Sequence, residues 1–358
     1  MKKITRVFLA TIIATMFFNI AQAQEEKKVT IDKLSIEGRA DFDYFEEEKT
    51  STSGFDGKYL NFEIKGSFLN DFSYRLRQRF DMANKCSKTD IMTLTYQGHK
   101  NFSVTAGKMA LAVGGWEYDL APIDVYFASQ FWNTFDCYDV GAQVAFHSND
   151  KNHSIIFQVT NSTFYENGYN KFEGKYAYNL LWYGNMGPFK TSYSFNMMEQ
   201  EKHHYINYIA LGNMFDFEKL DFFIDFMNRG FFHQKDFFLG DFTIIGEVKY
   251  AFTDKFTLMA KGGYDKNKHT YLDYTLKPYL PQDFDMTVMP GVEYTFAGLG
   301  FESYPYKGNK NIRLHAFFAA NKYMEDIYSD TENTISNSNS TLSFQFNIGL
   351  TWRINFVK

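Results

Sequence analysis

The stretch Thr341–Phe356 reads TLSFQFNIGLTWRINF and alternates with a period of two. Every even position, from Leu342 to Phe356, is large and apolar, whereas the odd positions hold Thr, Ser, Gln, Asn, Gly or Arg. Such alternation is typical of a β-strand whose two faces have different surroundings. Ordinary strands have roughly 3 to 10 residues, and a tilted membrane strand needs about 9 to 11 with aromatic rims. The pattern predicts a transmembrane strand rather than the alternative, an edge strand of a secreted sandwich.

The amino terminus has the features of an export signal. Lys2, Lys3 and Arg6 precede the apolar run Val7–Ile20, and the small residues of Ala21-Gln22-Ala23 follow it. This order is typical of a cleaved signal peptide. The predicted organisation is a signal peptide (1–23), a short periplasmic tail (24–32) and a single barrel domain (33–358).

Composition favours a membrane barrel over a soluble protein. Aromatic residues make up 19% of the chain, with 40 Phe and 25 Tyr, and a barrel uses them at its lipid face and its two water interfaces. The mature sequence has no run of 18 apolar residues, which a membrane helix would need. The net charge of -5 argues against a nucleic-acid partner. We therefore expect outer-membrane lipid as the surroundings and the bacterial outer membrane as the location.

Alternation and turn residues together predict sixteen strands. Short connections alternate with longer ones, as at the two ends of a membrane barrel. The longer connections include Glu46–Asp56, Ala110–Asp136, Lys266–Met286 and Met324–Asn339. Within the strand at 287–304 the apolar parity slips around Ala297-Gly298, which predicts a bulge. The predicted fold is an all-β, transmembrane antiparallel β-barrel with a lumen wide enough for water.

Arginines concentrate on one wall of this predicted barrel. If the last strand pairs with the first, the inward positions of strands 15, 16, 1, 2 and 3 hold six of the seven arginines of the mature chain: Arg39, Arg75, Arg77, Arg79, Arg313 and Arg353. They are either solvated lumen charges paired with Glu37, Asp41, Glu63 and Asp81, or an anion track. The second interpretation has physical support because guanidinium groups stay charged and bind oxyanions through two hydrogen bonds.

The third outer connection, Ala110–Asp136, is long and aromatic. We expect it to fold into the bore and narrow it, since a long segment with this many aromatic side chains would otherwise expose them to water. The residues predicted to form this constriction are Lys108 at its root, Trp116, Glu117, Asp119 and Asp124. Acids would then face the arginines across the bore. The alternative is an external flap that contacts neighbouring subunits.

Other chemistry is less marked. Cys86 and Cys137 are both predicted to lie at the outer rim of the barrel, where they either form a disulfide or remain free thiols. The His203-His204 pair is more typical of solvated side chains than of a metal site. The eight histidines are scattered and no serine-centred elbow accompanies them, so no enzyme, cofactor or metal site is predicted. The alternative to a channel is a non-conducting barrel that acts as an adhesin or assembly partner.

Three segments resemble the phosphate-selective porins O and P: Gly57–Asp81, Asn101–Trp116 and Asn311–Phe318. The resemblance implies a trimeric sixteen-stranded porin with an inward-folded third loop and a ladder formed by Arg75, Arg77 and Arg79, extended by the other three arginines. This sequence departs from the family at one point: the phosphate site of the family also relies on basic residues at the constriction, whereas no Lys or Arg occurs here from Met109 to Cys137. The expected function is therefore passive diffusion of small hydrophilic solutes through a general channel with a mild anion preference, in which phosphate is one candidate anion.

Overall fold

The computed structural model describes residues 29–81, 86–164, 174–231, 236, 238–268, 288, 291–306, 309–329 and 334–357. These residues form a closed antiparallel barrel in which each strand pairs with the next and β16 pairs with β1, from Leu34 opposite Val357 to Glu47 opposite Ser343. The strands are Lys33–Glu47 (β1), Thr50–Phe68 (β2), Phe72–Asp81 (β3), Cys86–His99 (β4), Phe102–Ala110 (β5), Tyr138–His147 (β6), His153–Asn161 (β7), Tyr176–Met186 (β8), Phe189–Glu201 (β9), His204–Asp216 (β10), Leu220–Phe231 (β11), Asp241–Thr253 (β12), Phe256–Asn267 (β13), Val292–Ser303 (β14), Ile312–Ser329 (β15) and Thr334–Val357 (β16). The predicted sixteen-stranded all-β barrel is confirmed.

The domain boundaries stay predictions. The signal peptide predicted at 1–23 lies outside the described residues, and only 29–32 of the predicted tail is described. Among the described residues, none of the α-helices is both long and apolar enough to cross a bilayer.

Strand β16 illustrates how the two faces of the wall differ. Leu342, Ile348 and Ile354 point outward and are 50%, 47% and 49% exposed. Ser343 and Asn347 point inward and are each 8% exposed. The apolar face of this strand is thus the outside of the barrel, as its period of two predicts.

Short turns join the strands at one end, called here the short-turn end. In the turn after β6, the Asp150 carboxylate accepts a hydrogen bond from the Ser148 hydroxyl and two from Asn152, at 3.1 Å from its backbone nitrogen and 2.9 Å from its side chain. These bonds lower the pKa of Asp150 to about 2. The carboxylate therefore remains ionised and keeps accepting the bonds that close the turn.

At the opposite end, called the long-loop end, two hairpins extend farther than predicted. Strand β1 continues to Glu47 and β2 begins at Thr50, so most of the predicted connection Glu46–Asp56 is strand. The predicted connection 324–339 is likewise mostly strand, since β15 runs to Ser329 and β16 begins at Thr334. Both predictions were wrong because these segments lack the regular apolar alternation by which the other strands were recognised. A strand does not need that alternation to pair its backbone in a hairpin.

The bulge predicted in β14 is absent. Pairing with β13 and with β15 runs without a shift from Val292 to Ser303. Even positions therefore point inward throughout this strand, and the Phe296 side chain is buried inside the barrel at 2% exposed, whereas Leu299 points outward at 69%. The apparent slip in parity arises because apolar side chains occupy inward positions in the first half of the strand and outward positions in the second.

The segment between β5 and β6, residues 111–137, is called loop 3. It contains helix α1 (Trp116–Asp119), a 3₁₀ turn (Pro122–Asp124) and helix α2 (Gln130–Thr134). The Ser129 hydroxyl caps α2 by accepting a hydrogen bond from the Trp132 backbone nitrogen at 3.1 Å. Loop 3 is therefore built of short ordered pieces, and these position the side chains described next.

Candidate pore

Loop 3 is anchored first to strands β9 and β11. The Gly114 backbone nitrogen donates to the Ser194 hydroxyl at 2.8 Å. The backbone nitrogens of Trp116 and Glu117 both donate to one carboxylate oxygen of Asp225, each at 2.8 Å. Asp225 thereby satisfies two of the N–H groups at the start of α1, which have no partner within the helix.

A buried ion pair continues the anchorage at β13. The Glu117 side chain, 1% exposed, pairs with the Lys261 ammonium group, which is 2% exposed. Lys261 also donates to the Phe127 carbonyl at 2.6 Å, and the Ser129 backbone nitrogen donates to Glu117 at 3.0 Å. A carboxylate predicted to face the bore is therefore part of the interior packing of loop 3.

The middle of loop 3 is bound by strands on the other side of the closure. The Arg39 guanidinium on β1 donates to the Val125 carbonyl at 2.6 Å. The Asn347 amide on β16 donates to the Tyr126 carbonyl at 2.8 Å, and the Tyr126 hydroxyl donates to Glu302 on β14 at 2.6 Å. Loop 3 thus contacts wall strands from β9 and β11 through β13 and β14 to β16 and β1.

Two of the six arginines meet an acid of loop 3 here. Arg313 pairs with Asp124 and lies 3.4 Å from Glu302. Arg353 pairs with Glu37 at 2.6 Å and lies 4.0 Å from Asp124. These contacts bind the loop to the wall.

Beneath the loop is a buried group of polar side chains. The Arg39 guanidinium pairs with Asp41 at 2.6 Å, and His315 lies 3.0 Å from the same carboxylate. The Tyr126 ring stacks on the His315 ring with centroids 4.0 Å apart, and Arg39 lies 4.9 Å from the centroid of Tyr126. Arg39 and His315 are 3% and 1% exposed. Together with the contacts above, this group holds the middle of loop 3 against the wall.

Apolar side chains cover much of the remaining contact. Phe127 lies 5.1 Å from Phe296 and 5.9 Å from Phe317 between ring centroids. Phe131, 3% exposed, belongs to a second cluster with Tyr208 and other inward side chains of β8, β10 and β11. Loop 3 and the inner faces of β8 to β15 therefore share a dry core inside the barrel.

A cavity of about 990 Å³ remains on the other side of loop 3. Its wall is the inner face of β1 to β8, and its opposite face includes residues 118–122, 132 and 135 of loop 3. It extends from Lys33, near the short-turn end, to Cys137, where loop 3 joins β6. The space is therefore bounded by a strand wall on one side and by loop 3 on the other.

Three cations on this wall share one carboxylate. Lys33, Lys65 and Arg75 occupy paired positions on β1, β2 and β3, so they lie side by side. Their nitrogens are 2.5, 3.4 and 2.7 Å from Glu63, which is buried. Lys33 is also 3.8 Å from Glu37, whose charge Arg353 already matches.

Two more arginines share a second carboxylate. Arg77 and Arg79 lie 3.2 and 3.1 Å from the buried carboxylate of Asp90 on β4. Arg77 also donates to the Tyr138 hydroxyl. Five cations of the cavity wall therefore surround two carboxylates, Glu63 and Asp90. Asp32 also lines the cavity beside Lys33, so the wall has five cations against three carboxylates and an excess of positive charge.

The predicted site residues fall into separate places. Arg75, Arg77 and Arg79 line the cavity, whereas Arg39, Arg313 and Arg353 are not among its lining residues. Of the five predicted loop residues, only Asp119 lines the cavity, where it accepts a hydrogen bond from the Tyr183 hydroxyl at 2.9 Å. Trp116, Glu117 and Asp124 belong to the anchorage, through the Asp225, Lys261 and Arg313 contacts given above. Lys108 pairs with Met92 and Val140, whose exposed side chains lie on the outer face.

Sequence reasoning missed two cations of this wall, Lys33 and Lys65. Both stand at odd positions on strands whose odd positions point inward, so the same parity that selected Arg39 and Arg75 would have found them. It also missed Asp90, which lies beside the register shift between β3 and β4.

The predicted cysteine pair is described only in part. Cys137 is a free cysteine among the residues whose side chains the structure describes, and the side chain of Cys86 lies outside them. Within the described ranges, His, Cys, Asp and Glu side chains form no group of three or more suited to a metal ion.

A closed barrel with an apolar outside and a charged interior next to a cavity is an outer-membrane barrel of the porin type. Solved structures agree in fold. OmpT of Vibrio cholerae has a TM-score of 0.59 at 10% identity, over 93% of this chain and 99% of that one. The outer membrane channel DcaP of Acinetobacter baumannii has 0.59 at 11%, over 92% and 99%. Salmonella typhi OmpF, in complex with daunomycin, has 0.58 at 13%, over 90% and 98%.

Residues 34–265 match the family model described as phosphate-selective porin O and P. This match covers more than half of the chain, so the protein belongs to that family, as the three resembling segments predicted. It is a porin of the bacterial outer membrane that forms a channel for small solutes. No curated protein matches the chain.

Proposed function

We propose that this porin is an anion-preferring channel whose solutes pass between loop 3 and the cationic wall. The observation that carries the proposal is the excess of charge on that wall, where Lys33, Lys65, Arg75, Arg77 and Arg79 surround only two carboxylates. Cationic side chains that line a pore favour anions over cations. Solutes diffuse passively, and the barrel is not an enzyme.

Loop 3 is the constriction in this proposal. Its contacts run from β9 and β11 to β16 and β1, so the loop takes up the interior along those strands. Solutes are left with the cavity of about 990 Å³ beside β1 to β8. The alternative interpretation of loop 3, an external flap, is disfavoured by the burial of Glu117 and Phe131 against strand side chains.

Phosphate is one of the anions that the wall can bind. The Arg75 side chain is 38% exposed and Lys65 is 40% exposed, so their charges are open to a solute in the cavity. A guanidinium group can bind an oxyanion through two parallel hydrogen bonds. Because loop 3 carries no Lys or Arg from Met109 to Cys137, we propose a general anion preference rather than strict phosphate selection. We also propose a homotrimer, as one similar solved structure is described as the trimer form of OmpT.

The experiment is the zero-current potential of single channels in a KCl gradient. The variant Arg75→Gln/Arg77→Gln/Arg79→Gln should shift this potential toward cation selectivity, because it removes three of the five cations of the wall. The matched control, Lys100→Gln/Lys151→Gln/Lys219→Gln, removes the same charge from exposed turns. Salt screens those turn charges over about 10 Å at 0.1 M, so the control should keep the original potential. An unchanged potential in the arginine variant would refute the proposal.

The second candidate, a non-conducting adhesin or assembly partner, is distinguished by the same recordings. The cavity beside loop 3 favours a channel, whereas a structural barrel would have no need for an open lumen. Folded protein that inserts into planar bilayers and gives no conductance steps would favour the second candidate.

A further inference from the structure

We propose that the preferred solutes are monoanions with a flat apolar body, such as aryl carboxylates and aryl phosphates. This inference rests on the proposed anion channel and specifies its substrate class. It follows from the difference between the two faces of the cavity. One face offers cations in excess, and the other offers aromatic and aliphatic side chains.

The cationic face would hold the anionic head of such a solute. Arg75 and Lys65 are more than a third exposed, and Arg79 is 26% exposed, although each contacts a carboxylate. Since Glu63, Asp90 and Asp32 cannot neutralise all five cations, a solute carboxylate or phosphate would replace water rather than another protein group at this face.

The facing side of loop 3 is apolar and aromatic. Leu120, Trp132 and Phe135 line the cavity and are half-buried, so part of each side chain borders the open space, and the buried Pro122 lies beside them. Apolar surface in contact with water gains roughly 25 cal/mol per Å² when a solute covers it. A solute with an apolar body would therefore be favoured over a small inorganic anion of the same charge.

The Phe135 ring on this face is held by its neighbours, and the backbone of Trp132 is held by a helix cap. Phe135 stacks on Phe131, with centroids 5.0 Å apart and planes at 13°, and it meets Tyr208 and Tyr118 edge-on at 5.5 and 5.9 Å. Trp132 follows Phe131 on α2, and the Ser129 cap fixes its backbone. Rings that lose no further freedom on contact are efficient stacking surfaces, because little side-chain entropy remains to be lost.

The charges on the loop side set the orientation and exclude a second anionic group. Loop 3 has no Lys or Arg, whereas Asp119 and Asp136 line the cavity on this side. A solute with a carboxylate at each end would place one of them near these acids, where like charges repel. The head of a monoanion would thus lie toward the strands and its body toward loop 3.

The test is block of the KCl current by added anions in single-channel recordings. Benzoate and phenyl phosphate should reduce the current at concentrations about tenfold lower than acetate and inorganic phosphate, respectively, and terephthalate should block no better than acetate. Trp132→Ala should raise the benzoate concentration needed for half block by about three- to tenfold. Trp132→Phe, which retains a ring, should recover most of the block.

Phe157→Ala serves as the matched control, since Phe157 lies on β7 with its ring on the outer face at 53% exposed. It should leave benzoate block unchanged. Benzoate that blocks no better than acetate, in a channel whose selectivity still depends on the three arginines, would overturn this inference and leave the proposed function intact. A zero-current potential that ignores the arginines would overturn the proposed function itself. Equal block in Trp132→Ala and Trp132→Phe would show that stacking plays no part, and would also count against the inference.

Discussion

The interior of this barrel has two halves that obey opposite rules for charge. On the wall from β1 to β4, five cations share Glu63 and Asp90 beside an open cavity. On the wall from β8 to β15, loop 3 packs into a dry core, and its buried acid Glu117 has its own cation in Lys261. The strands have the same alternation in both halves.

The difference follows from water. A charge without a partner in a dry interior costs several kcal/mol, and the buried acids of the filled half accordingly have partners: Lys261 for Glu117, and two backbone N–H groups of loop 3 for Asp225. In the open half, water solvates the excess cations, and they remain available to a solute. Two inward-facing positions of a barrel can therefore require different side chains. Whether water or loop 3 covers the position decides which side chains are stable there.

The largest effect should come from breaking the charge match of the filled half. In Lys261→Ala, Glu117 would be left buried without its cation, which costs about 3–5 kcal/mol and favours undocking of loop 3. Chymotrypsin cleavage within residues 111–137 should then accelerate by about two to three orders of magnitude, since cleavage follows the population of the open loop. Cleavage sites can be located by sequencing the fragments.

The same strand supplies the control for this substitution. Lys266 pairs with Glu293, but both side chains are about 30% exposed, so the pair contributes about 0–1 kcal/mol. Lys266→Ala should leave the cleavage rate nearly unchanged. If both variants accelerate cleavage equally, the distinction between a dry half and a wet half is wrong.

A smaller effect is expected at Tyr126. In Tyr126→Phe the ring can still stack on His315, but Glu302 loses a hydrogen bond of 2.6 Å from loop 3. Hydrogen bonds to charged groups contribute about 1.5–3 kcal/mol, so cleavage of loop 3 should accelerate by about ten- to a hundredfold. Tyr304→Phe removes the other phenol that bonds Glu302, at 2.5 Å, without altering loop 3. Faster cleavage in Tyr304→Phe than in Tyr126→Phe would contradict the assigned anchorage.

The barrel could be predicted from the sequence because apolar and polar residues alternate along a strand that separates lipid from water. In the Thr341–Phe356 part of β16 each outward residue is large and apolar and each inward residue is polar or glycine, so parity, strand direction and closure with β1 could all be read. The three arginines of β3 could be assigned to one face for the same reason. Odd or even position in a strand is thus enough to assign a residue to the inner or the outer face of the wall.

Parity could not identify what lies opposite that face. Phe296 broke the expected pattern because it points inward to Phe127 of loop 3, a partner about 170 residues away in the chain. Arg39 has the same inward parity as Arg75, yet it is buried under loop 3 while Arg75 borders the cavity. Both outcomes depend on where one long connection docks, and that is a property of tertiary packing.

The smallest expected effect concerns the open half and is measured at Cys137, which borders the cavity. In a Cys86→Ser background, the thiol should react faster with a sulfonate-bearing methanethiosulfonate than with a trimethylammonium one, by about tenfold or less, because the wall concentrates anions. The ratio at Asn152→Cys, in an exposed turn, corrects for the reagents themselves. Adding Arg77→Gln/Arg79→Gln should remove the preference. A corrected ratio that favours the cationic reagent would mean that Asp119, Asp136 and the buried carboxylates outweigh the five cations. The cavity would then repel anions, and the proposed anion preference would be wrong.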